Sequence, residues 1–535
     1  MWTMPHVLLR DPLRSVQRFV FKPKHLSPIQ SQRVQSVLSV LGGIPPVREA
    51  ISAALINRYT SATAPRPRPF SMAGDYTSWR SLTDRTFTGR HLPAAPEGAL
   101  TLPPEAQVNE LFRRERFAPA TDTSVLFMFF AQWFTDSFLR TDRSNPAKNT
   151  SNHAIDLCQI YGLDEQRTRM LRADTGGLLR SQFIDGAEYP EFLFDQDRPD
   201  LTTQPHFEGL HDAAAFAEIL EFCPPANRRS TFAVGLEHGN STIGHAMFNV
   251  IFLREHNRIA RIIAAAHPEW DNDRVFETTR NVLIVLLLKV VVEDYIMHIG
   301  PFEFPLTIPP FIAEQASWNR TNWMSIEFNL LYRWHSLVPD AIGELGPLDF
   351  LSNNPMIVQR GVGDLLALCS RTRAGRIGLG NTPAFLVDRT RPEVPSVTEK
   401  TTTHMRQAHL PAYNDYRKAF GLEEFRSFDE LTADPQLRAR LSELYGTVDN
   451  LEWYVGIFAE DYPRDYMMGE LMTVMVAYDA FTQALTNPLL ARNVYTPQTF
   501  SDEGWQIIEQ TSSLRQIVAR NTGIDQALVS FRVRP

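Results

Sequence analysis

Eleven consecutive residues, Val282–Val292 (V-L-I-V-L-L-L-K-V-V-V), are apolar except for Lys289. Such a run has to leave water, because every buried methylene contributes about 0.8 kcal/mol. It cannot cross a bilayer, which takes about 20 apolar residues, and Lys289 interrupts it. It therefore reads as a buried helix, and the chain around it must supply a large core. With 535 residues the chain can do so, as one large domain or as a domain with appendages.

Helical periodicity recurs on both sides of this run. Val34, Val37, Leu38 and Leu41 predict a helix over Ser31–Leu41, stopped by Gly42-Gly43. Pro45-Pro46 opens a second helix with Val47, Ile51, Ala54 and Leu55 on one face. Residues 1–59 thus form an amphipathic segment, and residues 60–535 the main domain. Two short amphipathic helices suit a membrane interface or the surface of the domain, and periodicity leaves both readings open. Residues 60–104 are a connector rich in proline and arginine. Further helices are expected from Val108–Phe117 and over Val125–Leu139, His245–Ala266, Asp273–Ile299, Tyr413–Phe420, Asp434–Tyr445 and Glu470–Thr486. Strand signals are few, so the fold class is mainly α.

The net charge of −8 argues against nucleic acid as a partner. Cys158, Cys223 and Cys369 are odd in number and far apart, which fits packing residues in a reducing compartment rather than disulfides or a zinc site. Met1–Pro12 is too short and interrupted for a secretory signal. The sequons at Asn149, Asn240 and Asn319 therefore carry no glycosylation meaning.

Chemistry concentrates in Ile326–Asp340, I-E-F-N-L-L-Y-R-W-H-S-L-V-P-D. Tyr332 precedes His335 by three residues, so on a helix the two would share a face. An oxidisable phenol beside a metal-ligating imidazole would suit a bound haem iron. Alone, the pattern is weak, and a buried, hydrogen-bonded tyrosine with a surface histidine is its better reading. Asp136, one turn after Gln132 in an aromatic helix, needs a partner or a task. There is no H-E-x-x-H, P-loop or G-x-S-x-G, and Gly375–Gly380 lacks the dinucleotide-binding order.

Several longer stretches resemble the cyclooxygenases (prostaglandin-endoperoxide synthases) and related haem-dependent fatty-acid dioxygenases of the animal haem peroxidase superfamily. They are F-F-A-Q-W-F-T-D at Phe129–Asp136, A-I-D-L-C-Q-I-Y-G at Ala154–Gly162 and F-L-R-E-H-N-R at Phe252–Arg258. Glu327–Asp340, Y-N-D-Y-R-K-A-F-G at Tyr413–Gly421 and V-S-F-R-V at Val529–Val533 complete the series, which spans roughly residues 70–535. The version Y-R-W-H also resembles the fatty-acid diol synthases and α-dioxygenases.

The resemblance implies a cyclooxygenase-type catalytic fold binding haem b, with His335 as proximal iron ligand. It implies that Tyr332 forms a radical that oxygenates a fatty acid to a hydroperoxide with molecular oxygen. Gln132 and Asp136 would lie on the distal side of the haem. Tyr295, Ile296, Phe328, Leu331, Trp334, Val476 and Ala480 would line the substrate channel. The N-terminus would be a monotopic membrane-binding segment, and the family suggests a homodimer. The alternatives are a peroxidase or peroxygenase that activates peroxide through Asp136, and a haem-binding protein without turnover.

Several positions depart from the family pattern. Asp136 stands where the family has a distal histidine, which moves a proton between peroxide oxygens. An aspartate could take that part if burial raised its pKa, but weak peroxidase activity is the expectation. Ala480 replaces the serine acylated by aspirin, Val476 and Gln483 replace small residues, and Val474 replaces a glutamate. The carboxylate-clamp tyrosine falls in Pro301–Phe302. Arg58, or else Arg66 or Arg68, would bind the substrate carboxylate through a two-pronged fork, unless it is a solvated surface residue. The epidermal-growth-factor-like module is absent, which suggests a cytoplasmic, peripherally attached relative. Bulk at Val476 favours a single hydroperoxide over a bicyclic endoperoxide.

Overall fold

The computed structural model describes residues 28–61, 72–74, 78–142, 144–300 and 304–533. Helices dominate, and the described residues contain only two two-stranded antiparallel sheets. The mainly α expectation holds. The long apolar run belongs to α5 in the following scheme: α1 Pro28–Gly42, α2 Pro45–Thr60, α3 Val125–Thr135, α4 Ile243–Ala266, α5 Asn272–Val290, α6 Ile326–Leu331 and α7 Glu470–Leu485. The strands are β1 Pro119–Ser124, β2 Ser181–Ile184, β3 Ala187–Pro190 and β4 Arg373–Gly375; β1 pairs with β4 and β2 with β3.

α5 starts where Asp271 accepts a hydrogen bond from the Arg274 N–H, and it is buried from Val282 onward apart from Lys289. Lys289 is tolerated because its ammonium donates to the Ile508 carbonyl at 2.6 Å and lies 3.9 Å from Glu293. The helix does not stop after Val290. It passes through a π turn, Val291–Tyr295, and one further α turn, Ile296–Ile299. π turns insert one extra residue and are frequent at functional sites.

α4 packs against both α5 and α3. At Gly244 a β-carbon would lie 2.2 Å from ring atoms of Phe129, so only glycine permits this approach of α4 to α3. The Trp133 indole N–H donates to Asn249 Oδ1 at 2.8 Å and ties the same two helices together. At the other end, α7 packs on α2 and on α6. α1 and α2 form where periodicity predicts them, with the break at Gly42-Gly43. Leu38, Ile51 and Ile56 are buried against the body, whereas Val37, Val40 and Ile44 are 51%, 70% and 45% exposed.

Two expectations need correction. The helix from Val108–Phe117 is confined to Glu105–Glu110. The chain turns away there because the Arg114 guanidinium is drawn inward, donating to Asp340 and to the Val338 carbonyl, each at 2.7 Å. Nor do Tyr332 and His335 share one helix face. α6 ends at Leu331, Tyr332 caps it, and His335 opens a separate 3-10 turn, His335–Leu337. Arg333 enforces the break. Its side chain donates to Asn329 Oδ1 and Thr401 Oγ1, each at 3.0 Å, while its carbonyl accepts from the Tyr454 hydroxyl at 3.0 Å.

Candidate functional site

The broken turn delivers by another route what a continuous helix would not. Asn329, Tyr332, Trp334 and His335 all line one cavity of about 1360 Å3, together with Gln132 and Asp136 from α3. That exceeds the roughly 300–1,000 Å3 of an ordinary small-molecule site. Every residue of α3 is buried except Gln132. Burial, with Arg333 nearby, pushes the His335 imidazole down to about 3, so it is neutral with a lone pair to offer. A neutral imidazole in a cavity of this size fits haem, with the indole N–H of Trp334 buried and unpartnered beside it.

Tyr332 is the oxidisable group of this wall. Its ring meets Phe328 edge-on at 5.1 Å and stacks on Trp334 at 4.5 Å. Its hydroxyl is buried with no hydrogen-bond partner, as is that of Tyr295. The two phenols are nonetheless close enough to affect each other's titration. Burial raises both pKa values, so both rings keep their protons at neutral pH. Tyr295 is held by stacking on Phe127 at 4.6 Å and stands in the π turn.

Asp136 has company that its sequence position does not announce. Its Oδ2 lies 3.2 Å from His238 Nε2 and in close contact with His245 Nε2. Burial works against the charged carboxylate, but the two imidazoles outweigh it and hold Asp136 far below the usual range. The condition under which Asp136 could itself move a proton, a pKa raised by burial, is therefore not met. His238 is pushed the other way: burial lowers it, but Asp136 and Glu237 prevail and bring it up to about 9. Glu237 is itself gripped by Arg140, whose Nη2 donates to both carboxylate oxygens at 2.8 and 3.0 Å. His238 lines the cavity, whereas His245 is buried behind Asp136 with Nδ1 3.2 Å from Thr242 Oγ1. Sequence reasoning missed both histidines; the only signal was a pair of imidazoles seven residues apart, astride the start of a helix.

A second cavity, of about 80 Å3, is apolar. Leu38 of α1, Leu55 and Tyr59 of α2, Ile296 after the π turn, and Val476 and Phe481 of α7 line it. Val476 and Ile296 are thus brought to one wall. Tyr295, Phe328, Leu331 and Ala480 are buried but line neither cavity. Arg58 is exposed on the last turn of α2, beside Tyr59, rather than in the wall. Arg66, Arg68 and Pro301–Phe302 lie outside the described residues. Among the described residues no helix is long and apolar enough to cross a membrane.

The family model and the sequence relatives agree on one family, and the solved structures share the fold. The family model for animal haem peroxidases matches residues 137–346 and 402–532. Prostaglandin G/H synthase 1 of Rattus norvegicus is 33% identical over 505 residues, covering 91% of this chain and 79% of the relative. Prostaglandin G/H synthase 2 of Equus caballus is 31% identical over 507 residues, with the same coverage of 91% and 79%. Among solved structures, the fatty acid α-dioxygenase of Oryza sativa superposes with a TM-score of 0.68 at 16% identity, covering 99% of each chain. Peroxidase A of Dictyostelium discoideum gives 0.65 at 18% identity, covering 88% of this chain and 100% of its own.

Proposed function

Because this chain belongs to the animal haem peroxidase family, we propose that it is a haem-dependent dioxygenase converting a fatty acid to a hydroperoxide, with Tyr332 as its radical site. It is a haem-dependent oxidoreductase, and the finer reading is haem b held by His335, with Gln132 and Asp136 across the cavity. Bound haem supplies the one-electron oxidising power. The protein's part is to keep a neutral phenol at Tyr332, buried with only the Tyr295 phenol near its hydroxyl, until it gives up a hydrogen atom. The Tyr332 oxygen then takes hydrogen from an acyl carbon: the C–H bond breaks and the phenol O–H re-forms. Molecular oxygen adds to that carbon. The resulting peroxyl regains hydrogen from Tyr332, which releases the hydroperoxide and restores the radical.

One observation carries this reading. The Tyr332 hydroxyl is buried, unpartnered, and part of the same wall as His335. The apolar lining of the second cavity, which at about 80 Å3 takes a few methylenes, suits part of an acyl chain, and its wall at Ile296 adjoins Tyr295, the neighbour of Tyr332. Exposed Val37, Val40 and Ile44, on and just after α1, support peripheral attachment to a lipid surface from which the chain would be drawn. Arg58 would meet the carboxylate at the mouth, beside Tyr59. The test is Tyr332→Phe, reconstituted with haem and followed by oxygen electrode over a panel of fatty acids. Oxygen uptake should vanish while peroxide-driven dye oxidation persists. Undiminished uptake would refute the radical role and favour a peroxygenase.

A further inference from the structure

We propose that His238, held by Asp136, is the proton-transfer group for peroxide in the large cavity, and that Asp136 and His245 are positioning residues. This rests on the haem reading of the cavity. The family keeps its distal imidazole on the helix that is α3 here, where this chain has a carboxylate. The structure brings an imidazole back from a different segment. His238 arrives on the loop before α4 and faces the cavity with about a quarter of its side chain open, at 27%. Its Nε2 lies 3.2 Å from Asp136 Oδ2. Nδ1 is 3.6 Å from the nearest Glu237 oxygen, a long ion-pair contact, so of the two ring protons this is the one that a ligand in the cavity can take.

Asp136 is poorly suited to donate a proton itself. Two imidazoles share one of its oxygens, and an ionised carboxylate has no proton to give. It is well suited to fix a ring, as an orienting carboxylate does for an imidazole elsewhere. His245 closes the set from behind, its other nitrogen turned to Thr242. The charged and titratable groups around His238 are Asp136 and Arg140 at and after the end of α3, Glu237 on its own loop, His211, and His245 on α4. The two carboxylates dominate, which keeps the ring an imidazolium at neutral pH.

An imidazolium can serve a hydroperoxide without net proton change. It gives its proton to the outer oxygen, which departs with the O–O bond pair as an alcohol. It then takes up the proton carried by the inner oxygen. Bound haem would supply the two electrons that the inner oxygen lacks.

The experiment uses haem-reconstituted wild type, His238→Gln, Asp136→Asn and Asp136→Glu, with an alkyl hydroperoxide and a reducing dye. At equal haem content, His238→Gln should lose about 100-fold in turnover, at the low end for proton-transfer catalysis. Wild-type turnover should fall as pH rises through about 9, where His238 loses its proton. In Asp136→Asn that limb should move down by at least one unit, and Asp136→Glu should restore it. Turnover within twofold of wild type in His238→Gln, or an unmoved limb in Asp136→Asn, would overturn the proposal. A readout without haem comes from histidine-labelled NMR of the haem-free protein: the ring missing in His238→Gln should titrate near 9 in wild type, and an ordinary titration would overturn it. Asp136, His238 and His245 also bring three donor atoms within 4.8 Å of one another. The haem-free protein should show no stoichiometric uptake of Zn2+; tight uptake lost in His238→Gln would replace the proposal with a metal centre. No fatty acid is used, so a failure of the oxygenase reading would show separately, as missing oxygen uptake.

Discussion

Gly375→Ala should loosen haem binding from a distance. Gly375 ends β4, and the β-carbon it lacks would lie 2.0 Å from the Ser336 carbonyl oxygen and 3.1 Å from that residue's carbonyl carbon. Carbon–oxygen contacts settle at about 3.3 Å, so the carbonyl would have to retreat by about 1.3 Å. Ser336 belongs to the short turn that begins with His335. The obstacle is backbone, so no rotamer change relieves it. The expected destabilisation lies at the upper end of overpacking, about 3 kcal/mol. A shift of about 1 Å at His335 would also impair any geometry that depends on it, by a factor on the order of 100. Haem titration followed at the Soret band and thermal unfolding measure the two effects. Gly378→Ala is the control, since its nearest neighbour is the Phe458 carbonyl at 3.8 Å. If Gly375→Ala binds haem and melts like wild type, the β4 strand does not brace the His335 turn.

Other perturbations probe the remaining parts. Val476→Phe should fill the small apolar cavity and reduce oxygen uptake most for the longest acyl chains; equal reductions across chain lengths would remove that cavity from the substrate path. Arg58→Gln should raise KM for a free fatty acid at least tenfold and leave its methyl ester unaffected, and equal effects on both would assign the arginine to the surface. Asp294 accepts the Leu514 N–H at 2.9 Å, and burial raises it to about 6. Its contribution to stability is thus present below about pH 4 and lost as pH rises through about 6. Asparagine retains an acceptor without the charge, so Asp294→Asn should gain about 2 kcal/mol at pH 7.5 and nothing at pH 4, by urea unfolding. A loss at pH 7.5 would refute this sign.

Much of the site was legible because its residues sit in local patterns. Gln132 and Asp136 are one helical turn apart, and Tyr332 and His335 are near neighbours, so periodicity and motif carry them to one cavity. The stated reason for the second pair was nevertheless wrong in detail. A shared helix face was expected, but Arg333 finds partners at Thr401 and His404, far along the chain, and these contacts end the helix. The partners of Asp136 were hidden for the same reason. His245 is 109 residues away in sequence and reaches Asp136 only because α4 packs on α3 through Gly244. Arg114 ended a helix that its own stretch would have continued, again through distant acceptors. The glycines of 375–380 resembled no binding motif, and Gly375 proves to matter for what its absent side chain leaves room for.

The π turn at Val291–Tyr295 takes up one residue more than α winding would need between the same two ends. Each residue of an α-helix advances it by about 100°. Removing one residue inside the turn would close it to ordinary α winding, and the two changes offset each other, so Tyr295 and Ile296 would keep their facing. Removing one residue from α5 before the turn meets no such slack: the buried face of α5 and the segment carrying Tyr295 would fall out of step by about 100°. The helix can thus absorb a change of length at the turn beside the phenol, and nowhere along its buried run.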